Sequence, residues 1–208
     1  MQVTCIGGWG LAPDSLRPFA SRLAPSARHV FLPPSQLAAS RAAAADWVVG
    51  WSLGAWRILD AAARGIVFRN RVALLAPSVA FASDFGLGGR IPLAQIHWLR
   101  RWMQRQPIAA LQDFYQRACL PEALVQLPYP LEDLLERLDR LVEPPSPALR
   151  TFAAGGLPER WSAVIGTEDF LLDARAVCEV LPGCVAVPGA GHSWANLADA
   201  LVEESNAV

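Results

Sequence analysis

A serine flanked by glycines two residues away on each side opens the chemical reading: Gly50-Trp51-Ser52-Leu53-Gly54 fits the pattern G-x-S-x-G. That spacing suits a serine lifted onto a sharp turn between a strand and a helix, with its Oγ exposed to attack a carbonyl. The glycines remove the β-carbons that would collide as strand and helix close around the serine. Only three positions of the pattern are fixed, so its surroundings carry weight. Trp47, Val48 and Val49 make a short apolar run before it, suited to a buried strand. Trp56, Ile58, Leu59, Ala61, Ala62 and Ala63 then read as a helix ending before Gly65.

A serine nucleophile needs a base and an acid. His192 lies in Pro188-Gly189-Ala190-Gly191-His192-Ser193-Trp194, a glycine-flanked loop after the apolar run Cys184 to Val187. There an imidazole can reach a serine. His97 sits inside an amphipathic helical stretch and reads as a helix-face residue; His29 precedes the elbow beside a strand and reads as structural. The acid must take the Nδ1 proton of the histidine and stabilise the imidazolium. Asp169 follows the strand-like Ser162 to Gly166 and fills that role, with Glu168 and then Asp173 as alternatives. Two backbone donors complete an oxyanion hole. One is the N–H of Leu53, directly after the serine. The other is the N–H of Trp9, in the loop Gly7-Gly8-Trp9-Gly10 after the first strand. That loop lacks both the G-x-G-x-x-G spacing and the lysine of a phosphate-binding loop.

These residues require a scaffold in which strand ends meet. The pattern predicts strands at 3–6, 28–32, 46–50, 71–76, 162–166 and 184–187, and helices near 13–24, 53–64, 173–181 and 194–204. Alternation of this kind implies an α/β fold with a mostly parallel sheet of about six strands. An arginine- and leucine-rich helical region over about 84–142 ends at Glu143-Pro144-Pro145-Ser146-Pro147 and reads as a cap inserted within a single domain, 84–147 of 1–208. Gly86, Gly88 and Gly89 suit a flexible cap hinge. Trp98 and Trp102 are spaced i, i+4, as are Arg101 and Arg105. With Arg90, Arg100 and Arg117 they form a cationic first half of the cap, while Glu132, Asp133, Glu136 and Asp139 make its second half acidic. The arginines read either as a solvated helix face or as a dock for an acidic partner.

Composition narrows the classes. Of 208 residues 53% are hydrophobic and 18% charged, enough to bury a large core. Mean hydropathy is +0.26, yet no apolar run reaches the ~18 residues of a membrane span. Met1-Gln2 leads straight into a strand with no basic leader, so no signal peptide is expected. A net charge of -1 argues against bulk nucleic-acid binding. All 18 basic residues are arginine, which reads first as genomic composition bias. Cys5, Cys119, Cys178 and Cys184 lack C-x-x-C spacing and suit reduced thiols of a cytoplasmic protein. Three scattered histidines predict no metal site, and no cofactor motif is present.

Taken together, Gly8-Trp9-Gly10-Leu11, Gly50-Trp51-Ser52-Leu53-Gly54, Gly166-Thr167-Glu168-Asp169 and Gly191-His192 resemble the pimeloyl-acyl-carrier-protein methyl ester esterases of biotin synthesis. These are the BioH type and its compact BioG analogues, within the α/β-hydrolase superfamily. Trp56, the short N-terminus and Asp84-Phe85-Gly86 resemble the compact form. The resemblance implies an α/β-hydrolase fold with a shortened sheet and a helical cap. It implies Ser52 as nucleophile, His192 as base and Asp169 as acid, with Leu53 and Trp9 as oxyanion donors. It further implies a pocket lined by Trp9, Trp51 and Trp98, and a monomer that receives its substrate on acyl carrier protein. Arg90, Arg100, Arg101, Arg105 and Arg117 are the corresponding carrier-binding candidates, although the cap matches only loosely. The histidine often found before the oxyanion Gly-Trp is Gly7 here. A broad short-chain carboxylesterase or thioesterase shares the same triad, and a catalytically silent binding module is the contrasting class.

Overall fold

In the computed structural model, which describes residues 1–36, 44–120 and 126–206, six strands form one sheet. They are β1 (Gln2–Ile6), β2 (Arg28–Leu32), β3 (Trp47–Trp51), β4 (Arg71–Leu75), β5 (Trp161–Gly166) and β6 (Cys184–Val187). Every pairing is parallel and the order is β2-β1-β3-β4-β5-β6. Successive residues of β1, β3, β4 and β5 are buried regardless of side, so both faces of the sheet are covered. The edge strands β2 and β6 are partly exposed. Parallel pairing forces a crossover after each strand. Helices α1 (Arg17–Leu23) and α8 (Trp194–Asn206) pack together as one cover. Helices α2 (Leu53–Ala63) and α6 (Pro147–Ala154) form the other, and α7 (Ala174–Val180) lies against β6.

Three helices lie between β4 and α6: α3 (Leu93–Arg105), α4 (Pro107–Arg117) and α5 (Leu131–Leu141). They fall within the stretch read as a cap, and α3 packs on both others. Met103, Leu111, Tyr115, Leu134 and Leu138 are fully buried in the same apolar cluster as the strands. The cap therefore shares the core of the sheet.

Three local expectations are corrected. The first helix is shorter than 13–24, because Pro13–Leu16 is a 3₁₀ turn and the α-helix starts only at Arg17. The Pro-rich stretch does more than end the cap: Pro147 occupies the first position of α6, and the Ser146 Oγ accepts the Leu149 N–H at 3.2 Å as its cap. The glycines after Phe85 are held in place. The Gly88 carbonyl accepts the Asp173 N–H at 2.7 Å and Gly89 bridges to Leu172, so the cap entry is pinned to the loop after β5.

His97 is exposed on α3, and His29 Nε2 lies 2.9 Å from the Ala24 carbonyl. The cysteines are all free thiols, and among the described residues no cluster of metal-binding side chains occurs and no helix is long and apolar enough to cross a membrane. Burial in β1 pushes the Cys5 thiol up to about 12, whereas Cys119 is exposed. At pH 8 iodoacetamide is expected to label Cys119 in the native protein and Cys5 only after urea unfolding, because the thiolate is the reacting form. Peptide mass mapping before and after unfolding checks this, and native labelling of Cys5 contradicts it.

Candidate active site

Ser52 sits between β3 and α2 with φ 54° and ψ -117°, a left-handed conformation for a residue with a β-carbon. Such a residue costs about 1–3 kcal/mol and persists only where its neighbours enforce it. They do. The Ser52 N–H donates to the Leu75 carbonyl at 2.9 Å, and its own carbonyl receives the Trp56 N–H at 3.0 Å. A β-carbon on Gly54 would lie 2.2 Å from the Ile6 carbonyl oxygen, and one on Gly50 would lie 2.7 Å from the Ala55 Cα. Gly54 thus allows the start of α2 to press against the end of β1, and Gly50 allows α2 to fold back closely on β3.

The loops after β5 and β6 deliver the partners. His192 Nε2 is 2.9 Å from Ser52 Oγ, and His192 Nδ1 is 2.7 Å from Asp169 Oδ2. The other Asp169 oxygen accepts the N–H groups of Leu171 at 2.8 Å and Leu172 at 3.0 Å, which fixes the carboxylate's orientation. Asp169 and His192 are fully buried and Ser52 nearly so. Between the acid alternatives the geometry is decisive: Glu168 is exposed, and Asp173 accepts the Ala176 N–H as the cap of α7.

Trp9 and Leu53 line a cleft directly beside Ser52. Both residues are buried, and neither backbone N–H has a partner among the described residues. Buried N–H groups seldom remain unpaired, so two of them beside a nucleophile suit an oxyanion. The cleft, about 760 Å³ including the space open to solvent, runs under the cap. Its walls are mainly apolar, with Phe81, Ile96, Phe114 and Leu138 among them, while Trp98 and Phe170 remain exposed at its edge.

Two tryptophans part company here. Trp9 and Trp98 line the cleft as expected. Trp51 does not: it is 1% exposed, and its indole N–H donates to the His192 carbonyl at 2.9 Å. Its ring lies 5.3 Å from the imidazole. Trp51 therefore positions the histidine loop instead of touching a ligand. A β-carbon on Gly8 would fall 2.2 Å from that indole, which explains the glycine opposite it.

The arginines of the cap also separate. Arg90 donates to the Asp169 carbonyl at 2.9 Å and pairs with Asp173 at 3.7 Å, so it braces the acid loop instead of offering a free charge. Arg100 bonds both carboxylate oxygens of Asp139, at 2.5 and 3.1 Å, joining α3 to α5; this hydrogen-bonded pairing raises its guanidinium above the ordinary value. Arg117 pairs with Asp113 at 2.8 Å, and both line the cleft. Arg101 and Arg105 are exposed.

Sequence reasoning missed the clamps on the oxyanion loop. The Trp9 indole donates to the Leu134 carbonyl at 3.0 Å, Tyr115 donates to the Gly10 carbonyl at 2.5 Å, and Tyr129 donates to the Leu11 carbonyl. The available signal was two tyrosines in the cap, each of which needs a hydrogen-bond partner once buried.

A fluorophosphonate probe reads this relay without any assumed substrate. Asp169→Asn is expected to slow covalent labelling of Ser52 by on the order of 10³-fold or more, since a misdirected imidazole cannot take the serine proton. Glu168→Gln is expected to label like wild type. Mass spectrometry of the labelled peptide checks both rates, and the reverse ranking would assign the acid to Glu168.

No protein-family profile matches the chain. No curated protein matches its sequence. Solved structures do match over nearly all of it. The esterase EaEST from Exiguobacterium antarcticum superposes with a TM-score of 0.71 at 12% identity, covering 100% of this chain and 91% of that one. A structure described under carboxylesterases of the thaumarchaeon Nitrososphaera gargenis gives 0.66 at 14% identity, covering 99% and 87%. An α/β hydrolase fold protein from Burkholderia ambifaria gives 0.64 at 15% identity, covering 100% and 90%. At such identities the likeness establishes architecture, and the chain has the α/β-hydrolase fold.

Proposed function

We propose that this protein is a serine carboxylic ester hydrolase whose substrate is the methyl ester of a pimeloyl chain on acyl carrier protein, acting in the cytoplasm. The observation that carries the hydrolase reading is the hydrogen-bonded line from Asp169 through His192 to Ser52, ending at an apolar cleft. In the proposed reaction Ser52 Oγ attacks the ester carbonyl while His192 Nε2 takes its proton. Asp169 holds the Nδ1 proton and stabilises the imidazolium. The N–H groups of Leu53 and Trp9 receive the oxyanion. Collapse of the tetrahedral intermediate expels methanol, protonated by His192, and leaves an acyl-Ser52 ester. Water, deprotonated by His192, then releases the free carboxylate.

The finer substrate rests on the motif resemblance, with two supports from the molecule. A seven-carbon chain can bury its methylenes in an apolar cleft, each contributing about 0.8 kcal/mol. Arg101 and Arg105 project from α3, whose residues Gln95, Ile96, Trp98 and Leu99 line that cleft, and they offer charge to an acidic carrier. The competing reading is a general carboxylesterase, favoured by the open, mainly apolar cleft, which lacks a strict selector of chain length.

The two readings separate in one assay pair. The protein is expected to cleave pimeloyl-carrier methyl ester and to restore growth without biotin in a bacterium lacking its own esterase. Ser52→Ala is expected to lose on the order of 10⁴-fold or more in turnover with the fold intact. Robust cleavage of p-nitrophenyl esters with no rescue selects the general carboxylesterase; retention of full activity by Ser52→Ala rejects the hydrolase reading itself.

The carrier dock has its own test. Arg101→Glu with Arg105→Glu is expected to raise KM for the carrier-bound ester and to leave a free short-chain ester nearly unaffected. Raising salt should mimic the substitution, because such contacts are screened over about 10 Å at 0.1 M. Unchanged KM for the carrier-bound ester removes these arginines from the dock.

A further inference from the structure

Behind the cleft, helix α2 and cap helix α5 enclose a second concavity that shares none of the cleft's lining residues. Trp56, Arg57 and Asp60 from α2, with Arg64 directly after it, face Arg140 from α5 across an open cavity of about 790 Å³. Its chemistry is opposite to that of the cleft. The Nε of Arg57 is buried and has no hydrogen-bond partner. Arg137, one turn before Arg140 and only 9% exposed, lines a separate crevice with Asp133 but is near enough to repel the Arg57 guanidinium.

The carboxylates present do not balance these charges. Asp60 pairs with Arg64 at 3.0 Å, and Glu143 pairs with Arg140 at 3.1 Å. The three arginines that line the groove against these two carboxylates leave a surplus of one positive charge, carried by Arg57. Burial, and then the repulsion of Arg137, lower the Arg57 guanidinium from its ordinary value; Arg140 and Arg64 add to the repulsion and Asp60 opposes it. Arginine nonetheless stays charged at neutral pH. A buried, charged N–H donor without an acceptor is costly, and it calls for a partner of the opposite sign.

We propose that this groove binds a phosphomonoester or diphosphate group. A phosphomonoester carries about two negative charges at neutral pH, enough to balance Arg57 and to share the guanidinium groups of Arg64 and Arg140. Planar guanidinium forks bond phosphate oxygens in pairs, and arginines from two helices can reach one group from two sides. The half-buried Trp56 ring and Ile66 supply an apolar wall for the rest of the ligand. The site stands on its own chemistry and does not depend on the hydrolase reading.

Pyrophosphate is the probe, added to the intact protein at low salt, with thermal unfolding and titration calorimetry as readouts. Millimolar pyrophosphate is expected to raise Tm, and Arg57→Met and Arg140→Gln each to weaken Kd by about tenfold or more. Unliganded Arg57→Met is expected to melt at or above the wild-type temperature, because it removes an unpaired buried charge, so lost binding cannot be blamed on unfolding. A parallel arm uses phosphatidylcholine vesicles with and without phosphatidic acid. Pyrophosphate binding without vesicle sedimentation identifies a soluble phosphate ligand. Sedimentation that depends on phosphatidic acid and on Arg57 identifies a lipid headgroup. No response in either arm, or an equal response in Arg57→Met, overturns the site.

Discussion

Everything in the site depends on one close approach: the start of α2 pressed against the end of β1 at Gly54. That contact leaves no room for a β-carbon beside the Ile6 carbonyl. It forces the chain to turn from β3 into α2 within a single residue, and Ser52 takes the left-handed backbone that such a turn requires. The sheet order then does the rest. β3 lies between β1 and β4, so the serine emerges beside the oxyanion loop after β1. The loops after β5 and β6 carry the acid and the histidine. Because all six strands are parallel, every one of these loops leaves the same edge of the sheet. A strained serine would relax on a softer scaffold. Here the Leu75 carbonyl accepts its N–H and the Trp56 N–H donates to its carbonyl, and the two bonds hold it.

The cap is part of this machinery. Trp9 carries one proposed oxyanion N–H, and its indole is tied to α5 through the Leu134 carbonyl. Tyr115 and Tyr129 hold the next two carbonyls of the same loop. Lifting the cap would break three hydrogen bonds to the oxyanion loop and expose Met103, Leu111 and Leu138. At about 1 kcal/mol net for each bond, with several more for the apolar side chains, whole-cap opening is expensive. The exposed Trp98 and Phe170 at the cleft's edge mark a cheaper entrance, since both rings can move without disturbing the core.

The triad was legible in the sequence because each member sits in a short, self-announcing context: glycines around Ser52, a strand end before Asp169, a glycine-rich loop around His192. The sheet was legible because its buried strands are dense in Val, Ala, Leu and Ile. What stayed hidden depends on long-range pairing. Nothing local to Trp51 says that its indole will bond a carbonyl 141 residues away. Arg90 looked like surface charge by position, and only the fold places it on the acid loop. Helix α6 was obscured by the two prolines and the serine directly before it, although a proline at the first helical position after a serine cap is a recognisable start. The arginines of α2 and α5 are far apart in the chain, so their convergence has no signature at sequence level.

The character of the cleft bears on where specificity resides. An apolar wall separates acyl chains differing by one methylene by only about 1–3 kcal/mol, and less where the pocket is open. Among the described residues the Asp113–Arg117 pair is the one charged feature of its lining, and each charge already neutralises the other. A cleft of this kind discriminates weakly by itself. Under the proposed carrier reading, selection among acyl esters falls to what carries the ester, a partner whose surface meets the exposed charges of α3 and so raises the effective concentration of its own cargo at Ser52. Under that arrangement, binding energy gained on the cap has no need to be matched by contacts inside the cleft. A permissive pocket and a selective enzyme are then compatible in one small chain.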